Sequence, residues 1–222
     1  MKLYESARGL PLWKDRCFFL MLSMIMMLLL YHYVWIDPTV TLTVYFLMMA
    51  SGIYAVSSSK QHAVIAATIG ALGETLLLIA FAHPFLFLDL AAIFFFIAFI
   101  GYMLVMVLIY VIHGQRVTRD KIFGAISVYF LIAFLWALLY RLLFILDPSS
   151  FTGTKPLAAG TVHVEFVYYS FGVISTLGFS DIQAVSDFAR AFSILETITG
   201  NFYIAVLISR LVSMYGSDAR SD

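Results

Sequence analysis

The sequence predicts an all-α membrane protein of six transmembrane helices, with a short re-entrant helix and an irregular loop between the fifth and the sixth. Three observations predict it. Of 222 residues, 63% are hydrophobic and only 12% charged, and the mean hydropathy is +0.98; soluble domains run to about half apolar and about a quarter charged. Six stretches each reach the roughly 20 apolar residues needed to cross a hydrocarbon core about 30 Å thick. Between the last two lies a shorter apolar piece, "HVEFVYYSFGVIS" at 163–175, which is too short to cross.

The six stretches fall at about 17–36, 39–57, 62–82, 85–112, 122–146 and 187–215. Their breaks carry turn chemistry: Asp37-Pro38, Ser57-Ser58-Ser59-Lys60, His83-Pro84, and the charged run from Gly114 to Lys121. The 85–112 run is long and is expected to tilt or to begin in the interface. The first apolar run is too long for a cleaved signal and lacks a small-residue cleavage site, so it reads as a retained anchor. Lys2, Arg8, Lys14, Arg16, Lys60, Arg116, Arg119, Lys121 and Arg220 share one side of a six-span layout, and Lys155 lies in a loop on the other. The positive-inside bias then places both termini of this multi-pass layout in the cytoplasm.

This divides the chain into a cytoplasmic segment 1–16, a four-helix scaffold 17–113, a cytoplasmic linker 114–121, a unit of helix, short helix, loop and helix at 122–216, and a tail 217–222. The stretch "GSDARSD", 216–222, after the last span leads to the expectation that gating does not use a cytoplasmic ligand-binding domain. The single cysteine, Cys17, excludes an intrachain disulfide. A formal net charge of zero gives no sign of a nucleic-acid partner.

A short apolar helix followed by polar, irregular backbone at membrane depth must be buried in protein or line a water-filled path, because lipid satisfies neither N–H nor C=O. The loop in question is "STLGFSDI", 175–182. Together, "YYSFGVISTLGFSDI" and "FARAFSILETITGNFYIAVLISRLV" resemble the pore domain of tetrameric potassium channels, over roughly 122 to 215. Thr176, Leu177, Gly178 and Phe179 stand at the Thr-Val-Gly-Tyr positions of that family's filter, and Asp181 at its aspartate. Ser180 replaces the second filter glycine, and Phe179 lacks the tyrosine hydroxyl. The resemblance makes Tyr168 and Tyr169 the aromatic brace on the pore helix, Gly200 the hinge of the inner helix, and Asn201 and Ile204 residues lining the cavity. Arg190 falls near the start of the inner helix, where some members carry an arginine.

The resemblance implies a homotetrameric pore, with potassium as the permeant ion, no catalytic residues and no cofactor beyond that ion. Four loops around an axis can turn backbone carbonyls inward and replace the hydration shell of a monovalent cation. Carbonyls all face one way only if alternate residues take left-handed dihedrals, which glycine does at no steric cost. A serine there costs about 1–2 kcal/mol in each subunit. The inner sites, at Thr176, Leu177 and Gly178, are therefore expected to follow the family, while the outer mouth at Phe179 and Ser180 departs from it.

Other residues carry two readings each. Span four holds no arginine or lysine, so it is no conventional voltage sensor. Glu74, beside Gly70 and Gly73, reads as a proton or cation site, or as a neutral or hydrogen-bonded glutamate at a close helix contact, the second being preferred. Glu196 either lends negative potential to a cation path or pairs with a polar group behind the loop. Asp187 reads as a helix cap. Arg141 snorkels outward or meets Glu165. Asp89, His32 and His83 read as interfacial, and the stripe Leu207, Ile208, Leu211, Val212 as packing and lining.

Two alternatives to a selective channel stand beside it: a non-selective or non-conducting channel-like protein, and an auxiliary transporter subunit. An intramembrane serine protease built on Ser180 ranks last. It needs a histidine base within reach, yet spans five and six contain none and His163 lies at the far end of the short helix.

Overall fold

The computed structural model describes residues 15–30, 38–57, 60–83, 85–113, 118–153, 162–178 and 181–218. The chain folds as seven α-helices among these residues: α1 (Arg16–Leu30), α2 (Pro38–Val56), α3 (Lys60–Ala82), α4 (Leu86–Ile112), α5 (Arg119–Leu146), α6 (Val162–Ile174) and α7 (Asp187–Asp218). A 3-10 turn, Pro148–Ser150, follows α5, and two three-residue strands, β1 (Phe151–Gly153) and β2 (Ile182–Ala184), bracket α6 and its loop. The N-terminal segment to residue 14, His32, Arg116, Lys155, Phe179, Ser180 and Arg220 lie outside the described residues, as do the side chains of Leu211 and Val212.

Helices α3, α4, α5 and α7 are long and apolar enough to cross a membrane. In α1 and α2 the described apolar stretches, Arg16–Leu30 and Leu42–Val56, are shorter; at 1.5 Å per residue, fifteen residues span about 22 Å. Local chemistry sets the ends. Pro38 opens α2, where its fixed φ and missing N–H do no harm. Thr118 caps α5, its hydroxyl accepting from Lys121 N at 3.3 Å, with Asp120 in the first turn. Asp120 also accepts from Cys17 N at 2.7 Å, so one carboxylate caps α1 and adjoins the start of α5.

The helices pack through apolar stripes. Cys17, Leu20, Met24 and Met27 recur at helical spacing on the buried face of α1 and meet Ala125, Val128 and Ile132 of α5. Gly124 permits this approach, since a Cβ there would stand 3.2 Å from Cys17 Sγ and 3.0 Å from Val111 Cγ2. A second cluster sits at the other end of α5, where Tyr140, Phe151, Phe166 and Tyr169 stack edge to face, with centroids 4.9 Å apart for Phe151 and Phe166.

The strand pair was not expected from the sequence. Phe151 faces Ala184, Thr152 faces Gln183 and Gly153 faces Ile182, antiparallel. It ties together the two ends of the segment that holds α6 and its loop. Ser150 O adds to the clasp by accepting from Val185 N and Ser186 N at 2.9 and 3.3 Å.

Two expectations are corrected here. Arg141 neither snorkels nor meets Glu165: it is buried, and its Nη2 lies 3.6 Å from Asp89 Oδ1 of α4. Asp187 does not cap α7. Ser186 does, its Oγ accepting from Ala189 N at 3.2 Å, while Asp187 is the first helical residue.

Candidate functional site

The short helix α6 ends where its sequence turns from apolar to polar, and its final turn has a defined geometry. Thr176 N donates to Val173 O at 3.0 Å and Leu177 N to Gly172 O at 3.0 Å. This pair of bonds is a Schellman ending, which places the residue after the cap in a left-handed conformation. That residue is Thr176, with φ of 60°. Glycine is the usual occupant, because a Cβ here costs about 1–2 kcal/mol, and a β-branched side chain is the least suited to it. Gly178 follows with φ of 72°. Thr176 and Gly178 are left-handed and Leu177 between them is not. The next position in this alternation is Ser180.

Hydrogen-bond donors account for the four terminal carbonyls of α6. Phe171 O accepts from Ser175 N, Gly172 O from Leu177 N and Gly178 N, Val173 O from Thr176 N, and Ile174 O from the Tyr129 hydroxyl at 3.2 Å. Past them, Thr176, Leu177 and Gly178 are exposed on the single chain, and a Cβ at Gly178 would meet nothing within 4 Å.

Helix α6 is seated against α7 along a parallel seam. The Tyr169 hydroxyl lies 2.7 Å from Ser193 Oγ; Ser193 gives its own proton to Ala189 O at 2.9 Å, which leaves tyrosine as the donor. One residue on, Ser170 Oγ donates to Glu196 Oε1. Thr197 Oγ1 comes within 3.5 Å of Val173 O. At the foot of the seam Gly200 receives Ile174. Helix α5 closes the back: Tyr140 donates to Glu196 Oε2 at 2.6 Å, and Ser170 Oγ reaches Ala133 O at 2.7 Å.

Glu196 is therefore fully buried and held between α5 and α6. Of its two sequence readings, pairing with polar groups behind the loop is the one the structure displays. The hydroxyls of Ser170 and Tyr140 take the place of part of the hydration that this buried carboxyl has lost. Ser170, Tyr140, Ser193 and Tyr129 were not singled out from the sequence; a glutamate within an apolar helix announces that hydroxyl partners exist, but not which helix carries them.

The remaining expected residues are placed as follows. Tyr169 faces α7, while Tyr168 points away and is 44% exposed. Asp181 is exposed beside β2, its carbonyl close to Gly153. Asn201 and Ile204 are exposed on α7. Arg190 Nε lies 3.5 Å from Ala184 O, which fixes the approach of β2 to α7. Glu74 has one carboxylate oxygen buried with no hydrogen-bond partner among the described residues. In the turn after α5, Asp147 accepts from Ser149 N, Ser149 Oγ and Ser150 Oγ at 3.1, 2.6 and 2.9 Å, and these bonds hold its carboxyl below the usual range. Among the described residues no group of three or more His, Cys, Asp or Glu side chains is placed to hold a metal ion.

Neither a curated protein nor a solved structure matches the chain. Residues 122–216, which comprise all of this site from α5 to α7, match the family model described as an ion channel, and over that part the chain is similar to that family.

Proposed function

We propose that the protein is a passive, potassium-selective cation channel formed by four copies of the chain around one axis. The observation that carries this reading is the alternation at the end of the short helix α6, where Thr176 and Gly178 have positive φ and Leu177 between them does not. Alternating hands turn successive carbonyls to the same side, and a ring of four such strands offers oxygens in place of water around a monovalent cation. One chain supplies one strand, so closure requires cyclic symmetry. The match of 122–216 to the ion channel family supports the same reading.

In this reading Thr176, Leu177, Gly178 and Phe179 furnish the ion sites, with Ser180 and Asp181 at the outer mouth. Tyr168 and Tyr169 brace the pore helix, Tyr169 through Ser193. Asn201 and Ile204 line the cavity, and Gly200 serves as the hinge that the resemblance assigns to the inner helix. The six-span layout sets both termini in the cytoplasm. Helix α4 contains no arginine or lysine, so α1 to α4 serve as a scaffold and not as a conventional voltage sensor.

A second reading, a weakly selective or closed pore, is favoured by one residue of the sequence: Ser180 stands where the potassium-channel filter has its second glycine. Flux through reconstituted liposomes tests both. Potassium uptake that exceeds sodium uptake, is blocked by barium and is lost in Gly178→Val supports the proposal. Equal uptake of the two ions supports the second reading, and no uptake contradicts both open-pore forms.

A further inference from the structure

Four contacts in register join α6 to α7: Tyr169 with Ser193, Ser170 with Glu196, Val173 with Thr197, and Ile174 with Gly200. The second is unlike the others. Its carboxylate is fully buried and links three helices at once, through Ser170 of α6 and Tyr140 of α5. Ser170 in turn reaches Ala133 O of α5 at 2.7 Å and is itself fully buried. The node thus fixes α6 against both neighbours one turn above Ile174, and the turn after Ile174 is the one that places Thr176. A helix transmits a displacement along its axis nearly intact, because its turns are hydrogen-bonded to one another. Movement of α6 at Ser170 becomes movement of the Thr176–Gly178 strand.

We propose, resting on the channel reading above, that Glu196 is a positioning residue for ion discrimination: its carboxyl sets the depth and tilt of α6, and with them the spacing of the carbonyls at Thr176, Leu177 and Gly178. It touches no ion. It acts through Ser170, with Tyr140 holding its second oxygen. Ala133 O and Glu196 Oε1 compete for the single proton of Ser170. Glutamine at 196 accepts from Tyr140 through its oxygen and donates through its nitrogen to Ser170 Oγ, leaving Ser170 free to donate to Ala133. Glutamine therefore keeps every link of the node, whereas alanine or leucine leaves two hydroxyls buried without the partner that held them.

The test measures the potassium-to-sodium permeability ratio under bi-ionic conditions for the full-length protein in liposomes, beside the thermal stability of the same preparations. Glu196→Gln is expected to keep the wild-type ratio. Glu196→Ala and Ser170→Ala are each expected to lower it by about tenfold, and the double variant to lower it no further than the worse single one. A purely structural role would lower the melting temperature of all the truncations and leave the ratio of whatever still conducts unchanged; that result overturns the inference. So does a glutamine variant as unselective as the alanine one. If Glu196→Ala does not assemble, Ser170→Ala and Tyr140→Phe, which remove only hydroxyls, decide in its place. A wild-type protein that conducts both ions equally contradicts the potassium reading itself, and one that conducts neither contradicts the channel reading, each of which is distinct from a selective wild type whose variants stay selective.

Discussion

Gly200 of α7 lies directly beneath Ile174, the last residue of α6. A Cβ on Gly200 would stand 2.5 Å from Ile174 Cγ1 and 2.9 Å from Ile174 O. The side chain of Ile174 is fully buried, and its carbonyl accepts from the Tyr129 hydroxyl at 3.2 Å, so neither yields without disturbing its neighbours. Gly200→Ala is expected to push α6 off its seat and destabilise the protein by about 1–3 kcal/mol. A lowered melting temperature, with loss of flux, is the predicted outcome. An alanine variant with wild-type stability would show that the contact is dispensable.

Thr176 occupies a left-handed position that suits glycine. Thr176→Gly is expected to stabilise the turn by up to about 1 kcal/mol, the relief of strain exceeding the added entropy of the unfolded chain. The same change removes the hydroxyl from the inner end of the proposed filter, so selectivity is expected to fall as stability rises. Thermal unfolding and the permeability ratio, measured on one preparation, should move in opposite directions.

Arg141 and Asp89 form a partly buried ion pair, with the arginine 8% and the aspartate 41% exposed. Asp89→Asn removes the partner and leaves a buried guanidinium, at a cost of about 1–3 kcal/mol once the exposure of Asp89 is discounted from the fully buried case. Replacing both, as Asp89→Asn with Arg141→Met, should restore much of the loss, because no uncompensated charge remains. A double variant less stable than the single one would contradict this assignment.

Three hydrogen bonds from Ser149 and Ser150 depress the Asp147 carboxyl. A carboxyl lowered on folding stabilises the folded turn above its unfolded value, about 3.9 for aspartate. That stabilisation fades as pH falls toward and through the folded value. Asp147 itself is exposed, so the effect is local. Protection of the Ser149 amide from exchange should fall below about pH 4, and in Asp147→Ala it should be low already at neutral pH and insensitive to acid.

Much of the architecture was legible because it rests on local signals. Apolar runs, Pro38 and the charged linker mark helix ends within a few residues, and a stretch too short to cross marked α6. The loop stood out because polar, irregular sequence, Ser175 to Asp181, follows a short apolar helix directly. What escaped depends on pairs far apart in sequence. Strands of three residues, such as Phe151–Gly153 and Ile182–Ala184, have no periodicity to read. Arg141 was sought near Glu165, its neighbour across the outer loop, yet its carboxylate lies on α4. The cap of α7 went to Asp187 when Ser186, one residue earlier, holds the geometry. Glu196 was recognised as an anomaly, but Tyr140 and Ser170 became its partners only through the crossing of three helices.

The proposed pore requires the loops of four chains to meet. Electron cryo-microscopy of the purified protein in potassium chloride tests this most directly. The expected result is a particle with a four-fold axis, the carbonyls of Thr176, Leu177 and Gly178 turned toward it, and ion density between them. A particle in which these residues lie away from any axis, packed against side chains or lipid with no continuous opening, would contradict it.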